Sequence, residues 1–165
     1  MYKYTPRSLT EMAQSKARVT MKVVVEQPTG VEFELGRSFA PMRVHPEDAG
    51  LDLLSTVTIM LKPGASAEIK TGVKCAIPAN TMGLLCLRSS LARLGLTIAG
   101  GIIDEGFTGE LVAIIRNASD KEVPIYRGNR IVQLIIIPIV KPVLQFVDEL
   151  PNTARGTGAF GSTGK

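Results

Sequence analysis

The stretch TVTIMLKPGASAEIKTGVKCAIPANTMGLLCLR, residues 56–88, decides how the rest of this chain folds. Its apolar, β-branched runs are about six residues long, and Pro63-Gly64 and Pro78-Ala79-Asn80 cut them with residues that turn the backbone. Short strands at regular spacing predict an all-β sandwich or barrel. Toward the N-terminus, HPEDAGLDLLS (45–55) joins turn residues to the start of a small apolar strand. It puts Asp52 one step past Leu51, where a carboxylate commonly satisfies backbone donors. Further upstream MKVVVEQ (21–27) is a β-branched strand, and VEFELG (31–36) alternates apolar and acidic residues as a half-exposed strand does. Residues 1–20 are polar and basic without a sustained period. Ser8 and Glu11 have capping-box spacing, so a short helix over about 8–17 is expected, with no function attached.

Composition bounds the possibilities. A chain of 165 residues fits one domain, and at this size about 70% of the unfolded surface can be buried. Hydrophobic residues make up 45% and aromatics 5%, with no Trp, so Val, Ile, Leu and Ala must build the core. A net charge of +4 suits an acidic small molecule as well as a nucleic acid and separates neither. Cys75 and Cys86 sit in apolar runs without CxxC spacing, which reads as buried thiols in a reducing compartment. With His45 as the sole histidine, no zinc site is expected. RIVQLIIIPIVKPVL is apolar, but its prolines and Arg130, Gln133 and Lys141 stop it short of a spanning helix. The expectation is a soluble cytoplasmic protein that engages neither membrane nor nucleic acid.

Toward the C-terminus, RSSLARLGL (88–96) brings Arg88, Ser89 and Ser90 to the start of a single helical turn. There they can form an anion site or simply cap the helix. GIIDEGFTGE (101–110) reads as a β-hairpin of strand, glycine turn and strand. In it Gly101, Ile102 and Ile103 lead to the carboxylate Asp104 and the ring of Phe107, one wall of a small-molecule pocket. GELVAIIRN, the turn ASDKE and VPIY continue the strand pattern. RGNRIVQLIIIPIV has little alternation, so both faces of that strand should be buried, a hint of a subunit interface. Gln133, polar inside this run, must bond neighbouring backbone or face a ligand.

The chain ends in RGTGAFGSTGK, four glycines in eleven residues, which cannot pack a core. Residues 156–161 match GxGxxG, but no strand-glycine-helix context follows, so a dinucleotide fold is rejected. A P-loop fails because Ala159 stands where its first glycine belongs. What remains is an arm whose Arg155, Phe160, Ser162 and Thr163 suit closure over a base and its phosphates.

Five segments in order, DAGLDLLS, RSSLA, GIIDEGFTGE, GNRIVQLIIIP and RGTGAFGSTG, resemble the five motifs of the trimeric deoxyuridine triphosphatases. The resemblance runs from about Met21 to Lys165. It implies a jelly-roll-like β fold, a homotrimer with three active sites between subunits, Mg²⁺, and hydrolysis of dUTP to dUMP and pyrophosphate. That reaction keeps uracil out of DNA and supplies dUMP for dTMP synthesis. Carried over, the resemblance makes Asp104 the residue that orients and deprotonates the attacking water. Arg88, Ser89, Ser90 and Gln133 become phosphate contacts, and Gly101, Ile102 and Ile103 the backbone that reads the uracil edge. Phe160 stacks on uracil, while Arg155, Gly161, Ser162 and Thr163 close on the substrate and its terminal phosphates. Asp52 supports the site or a hydrated metal through water, the Mg²⁺ being held chiefly by substrate phosphates. The family usually has Tyr where this chain has Phe107, the ring that packs under the deoxyribose. The implied division is an extension over 1–20, a β domain over 21–150 and an arm over 151–165.

Two alternatives stand beside it. RSSLARLGL and the DxGFxG segment also resemble dCTP deaminases, but the catalytic Glu that this resemblance would require falls where this chain has Ile114. A non-catalytic nucleotide-binding regulatory module could carry every one of these residues without turnover.

Overall fold

The computed structural model describes residues 19–26 and 39–158. The expected helix over 8–17 and the strand VEFELG lie outside them. Among the described residues the chain forms ten strands and one short helix. The strands are β1 (Lys22–Val25), β2 (Leu51–Leu54), β3 (Ile59–Leu61), β4 (Ser66–Ala76), β5 (Thr81–Leu87), β6 (Leu96–Ala99), β7 (Ile102–Ile103), β8 (Glu110–Asn117), β9 (Val123–Ile125) and β10 (Arg130–Pro138). The helix α1 is the single turn Ser89–Ala92. Two four-stranded antiparallel sheets run in the orders β1-β4-β8-β6 and β2-β10-β5-β7, with β3 and β9 as a small third sheet. This is the all-β architecture that the strand spacing predicts, in the jelly-roll-like form that the resemblance implies.

The strands of 56–88 form as expected, but not with equal lengths. β3 has three residues and β4 has eleven. β4 is long because it bends rather than stops. Its register to β8 shifts between Lys70 and Lys74, and Gly72 inside the shift takes φ +70. A side chain there would meet the Glu26 carbonyl oxygen at 2.7 Å. The turns fall at the expected places, and at the second of them Asn80 adopts φ 56, the sole non-glycine positive φ among the described residues.

All three sheets close on one core. Ile69, Val73, Leu111 and Ile115 come from the first sheet, Leu53, Leu85, Ile131 and Leu134 from the second, and Leu61 and Ile125 from the third. Burying such a side chain stabilises by about 1.5–3 kcal/mol, so this aliphatic cluster is the main attraction between the sheets. β8 shows the alternation most plainly, with Leu111, Ala113, Ile115 and Asn117 facing in.

One expectation is corrected. The stretch 101–110 is not a hairpin: Ile102–Ile103 pairs with β5 in the second sheet, whereas β8 pairs with β6 and β4 in the first. The hairpin arms are β6 and β8, and the residues between them cross from one sheet to the other. β10, paired on both edges by β2 and β5, is buried at Ile131, Val132 and Leu134 but only half-buried from Ile135 to Ile137. The last strand ends at Pro138, so 139–150, grouped with the β domain from sequence, carries no strand.

Candidate active site

Asp52 sits on β2, one strand away from β10, and is 3% exposed. It does not serve backbone donors with its side chain, as the loop reading expected. Its Oδ2 accepts from Arg88 Nη1 at 2.8 Å and from Arg130 Nη1 at 3.1 Å, and its Oδ1 accepts from Gln133 Nε2 at 3.2 Å. Cross-strand pairing makes this possible, because Gln133 lies opposite Asp52 on one side and Cys86 on the other. Gly50 helps too, since a Cβ there would meet Gln133 Cβ at 2.9 Å. Two guanidinium groups and one carboxylate leave one positive charge, and both arginine side chains keep partial exposure, 24% and 40%. Their unused N–H groups can bind an anion such as a phosphate.

Arg88 is also the residue before α1. It is extended (φ −67, ψ 142), its carbonyl accepts from Leu91 and Ala92, and no side chain caps the helix. Ser89 and Ser90 follow, both exposed, at a helix start where N–H groups lack intrahelical acceptors. Thus Arg88, Gln133 and Asp52 come together, with Ser89 and Ser90 following Arg88 in the chain. Sequence reasoning missed Arg130 as a member. The signal available was weak: a cation three positions before Gln133 in the same run.

The second group is the crossing segment. Gly101, at φ +106, packs so closely on β5 that a Cβ would meet the Leu85 carbonyl oxygen at 2.8 Å. Its own carbonyl accepts from the Leu85 N–H at 2.7 Å. Ile103 lies opposite Gly83 and Ile102 opposite Leu84, with Ile102 65% exposed. A tight turn follows, closed by the Phe107 N–H to the Asp104 carbonyl at 3.0 Å. Asp104 is exposed. The Phe107 ring is 40% exposed and rests over Gly109, where a Cβ would meet the ring at 2.7 Å. Glu105, which the sequence did not single out, binds the turn to its surroundings. It accepts from the Asn80 N–H at 3.0 Å and pairs with Lys141, whose hydrogen bond is the main cause holding its carboxyl below the usual range.

These two groups lie apart within one chain. Ile103 faces Gly83, and antiparallel pairing carries the chain on toward the level of Met82, away from Arg88. At ~3.3 Å per residue, Asp104 and Arg88 are separated by roughly 20 Å along β5. Of the arm, Arg155 makes local contacts in the turn 153–158, its Nε donating to the Gly158 carbonyl at 3.2 Å. Phe160, Gly161, Ser162 and Thr163 lie outside the described residues.

No group of three or more His, Cys, Asp or Glu able to hold a metal occurs among the described residues. Asp52 does not fit as a direct ligand, because both its oxygens already accept from cationic or amide donors. Mg²⁺ can enter here as a companion of a polyphosphate.

An all-β domain with a residual positive charge beside β10 and an exposed carboxylate in the turn after β7 has the groups that an enzyme acting on an anionic substrate needs. Residues 37–164 match the dUTPase family model. The chain is a member of the dUTPase family. It is 43% identical over 128 residues to the deoxyuridine 5'-triphosphate nucleotidohydrolase of Rhodococcus erythropolis, covering 75% of this chain and 78% of that protein. The corresponding protein of Clostridium tetani is 41% identical over 128 residues, covering 76% and 88%. Among solved structures, the dUTPase of Staphylococcus bacteriophage 80alpha with dUpNHpp aligns at TM-score 0.75 and 31% identity, over 88% of this chain and 99% of that one. A mutant dUTPase of phage phi11 of S. aureus, described for the coordination of a structural Mg(II) ion, aligns at 0.68 and 30%, over 81% and 99%.

Proposed function

We infer that this chain hydrolyses dUTP to dUMP and pyrophosphate, with Asp104 as the base and the Asp52 cluster as the phosphate platform. The observation that carries the reading is that cluster, which leaves one positive charge and free guanidinium donors in a chain of the dUTPase family. Asp104 takes a proton from water as the water oxygen bonds to the α-phosphorus. The bond from that phosphorus to the bridging oxygen breaks, and pyrophosphate leaves with the negative charge. Arg88 and Gln133, held by Asp52, stabilise the charge that develops on the phosphate oxygens. Ser89 and Ser90 add hydroxyl and N–H donors. A Mg²⁺ ion would be held chiefly by the substrate phosphates, where it would supply charge screening beside Arg88 and Gln133. Gly101, Ile102 and Ile103 offer backbone groups to the uracil edge, and Phe107 packs beneath the deoxyribose.

The working assembly is a homotrimer in which one chain's Asp104 serves a nucleotide held by another chain's Arg88. Two features support this. One is the separation of roughly 20 Å along β5, longer than a water-mediated attack can span. The other is the segment after β10, where Val140, Val143, Leu144, Phe146 and Leu150 are 89%, 96%, 75%, 92% and 85% exposed. A closed symmetric oligomer buries such a strip against a neighbour. The same geometry delivers Arg155, Phe160, Gly161, Ser162 and Thr163 to a site on another chain. The unpaired thiols of Cys75 and Cys86 suit the cytoplasm.

The test is a product assay with dUTP and with dCTP. Pyrophosphate and dUMP from dUTP are the expected products. Release of ammonia from dCTP would identify a deaminase, an outcome that Ile114 on β8 opposes, since its hydrocarbon side chain can neither give nor take a proton. Tight dUTP binding with no product would leave the regulatory module.

A further inference from the structure

The turn that carries Asp104 is tied to the base of the C-terminal segment through one small junction. At the β4–β5 turn, Asn80 holds a left-handed conformation, φ 56, which points its N–H and its C=O at two different partners. The N–H donates to Glu105 Oε2 at 3.0 Å. The C=O accepts from the Ile139 N–H at 3.0 Å. Lys141, two residues beyond Ile139, returns to the same Glu105 oxygen. The contacts therefore close a ring: Asn80 to Glu105, Glu105 to Lys141, and along the chain to Ile139 and back to Asn80.

We propose that Glu105 is a positioning residue for the reaction, holding the Asp104 turn through Asn80 and Lys141 and fixing the direction in which 139–158 leaves the barrel. This rests on the reading of Asp104 as the base. The physical argument is that the turn has few other restraints. β7 is two residues long, the side chains of Ile102, Asp104 and Phe107 are exposed, and the Phe107 N–H to Asp104 carbonyl bond is internal to the turn. A charged, two-partner contact on the residue next to Asp104 limits how far the base can drift, and misplacement by ~1 Å can cost on the order of 100-fold in rate. Because Lys141 opens the segment that reaches another chain in the proposed trimer, the same contact links the catalytic turn of one site to the arm serving another.

The experiment uses the full chain with dUTP and Mg²⁺, measuring kcat and KM for pyrophosphate release together with amide exchange at Asn80. Glu105→Leu removes the one acceptor that both donors share and is expected to lower kcat roughly 10- to 100-fold with KM within about threefold. Glu105→Gln keeps an acceptor for the Asn80 N–H and should recover most of that loss. Lys141→Met should lower kcat by itself yet add nothing on top of Glu105→Leu, because both remove the same contact. The Asn80 N–H should be protected in the parent and lose protection in Glu105→Leu. A kcat for folded Glu105→Leu within twofold of the parent overturns the proposal, as do effects of Glu105→Leu and Lys141→Met that multiply. If the parent releases no pyrophosphate from dUTP, the functional reading fails on its own. Amide exchange then decides the junction, and an Asn80 amide indifferent to Glu105→Leu overturns it.

Discussion

Asp52 illustrates what a single side chain contributes. Its three donors stand 36, 78 and 81 positions away in the chain, so nothing local in HPEDAGLDLLS announces them. The sequence marked the position through its resemblance to a motif, whereas the partners became visible only when β2, β10 and β5 lay side by side. Asp52→Asn should cost about 1–3 kcal/mol by urea denaturation, less than the ~3–5 of a fully buried pair because both guanidinium groups retain access to water. It should also raise KM for dUTP by freeing Arg88. Asp104→Asn should do the opposite, leaving binding intact and lowering kcat by ~10² to 10⁴, as measured by nucleotide titration and pyrophosphate release. Near-native turnover in that variant would remove Asp104 from the mechanism. Phe107, with the ring but not the hydroxyl of the usual Tyr, should still favour dUTP over UTP. If Phe107→Ala leaves the ratio of kcat/KM for the two substrates unchanged, the ring has no part in reading the sugar.

Short elements are where the sequence misled. The apolar pairs flanking the glycines of 101–110 suggested that one arm would fold onto the other, since each has strand character. Which strand pairs with which is set by tertiary packing, and Ile102–Ile103 finds Gly83–Leu84, where the missing Cβ of Gly83 admits Ile103. The longer elements were legible because turn residues and alternation specify them locally, as at β5 and β8. Gly101→Ala tests the close approach of the crossing segment. It forces a side chain into φ +106 and onto the Leu85 carbonyl oxygen at 2.8 Å, so β7 must shift. A loss of ~1–3 kcal/mol and a kcat loss out of proportion to it are expected. The Glu105 contact adds a pH signature. Its carboxyl is held below the ordinary value of 4.5, first by Lys141 and then by the Asn80 amide. The stability it lends is therefore complete above the unfolded value and disappears as pH falls through the folded one. Thermal melts of the parent and Glu105→Gln should differ at neutral pH and converge in acid. A constant gap across that range would assign the effect elsewhere.

At the level of the molecule, the separation of Asp104 from Arg88 leads to a mixing experiment. One variant carries Asp104→Asn with its arm intact, and the other keeps Asp104 but stops after Ala154. Refolded together in equal amounts, random assembly should give roughly a quarter of sites an intact base from one chain and an intact arm from another. Activity absent from both parents should appear, and its failure to do so refutes an arm shared between chains. No pattern in the sequence encodes that distance, because it follows from the direction of antiparallel pairing along β5. The apolar residues from Val140 to Leu150 have a consequence before any catalysis begins. In the proposed trimer, each chain leaves the ribosome alone, with an apolar ribbon facing water until other copies arrive. Its lifetime in that interval depends on how often copies meet, so a scarce enzyme is also a fragile one. If the trimer forms as proposed, the melting temperature should climb with protein concentration, as mass action requires.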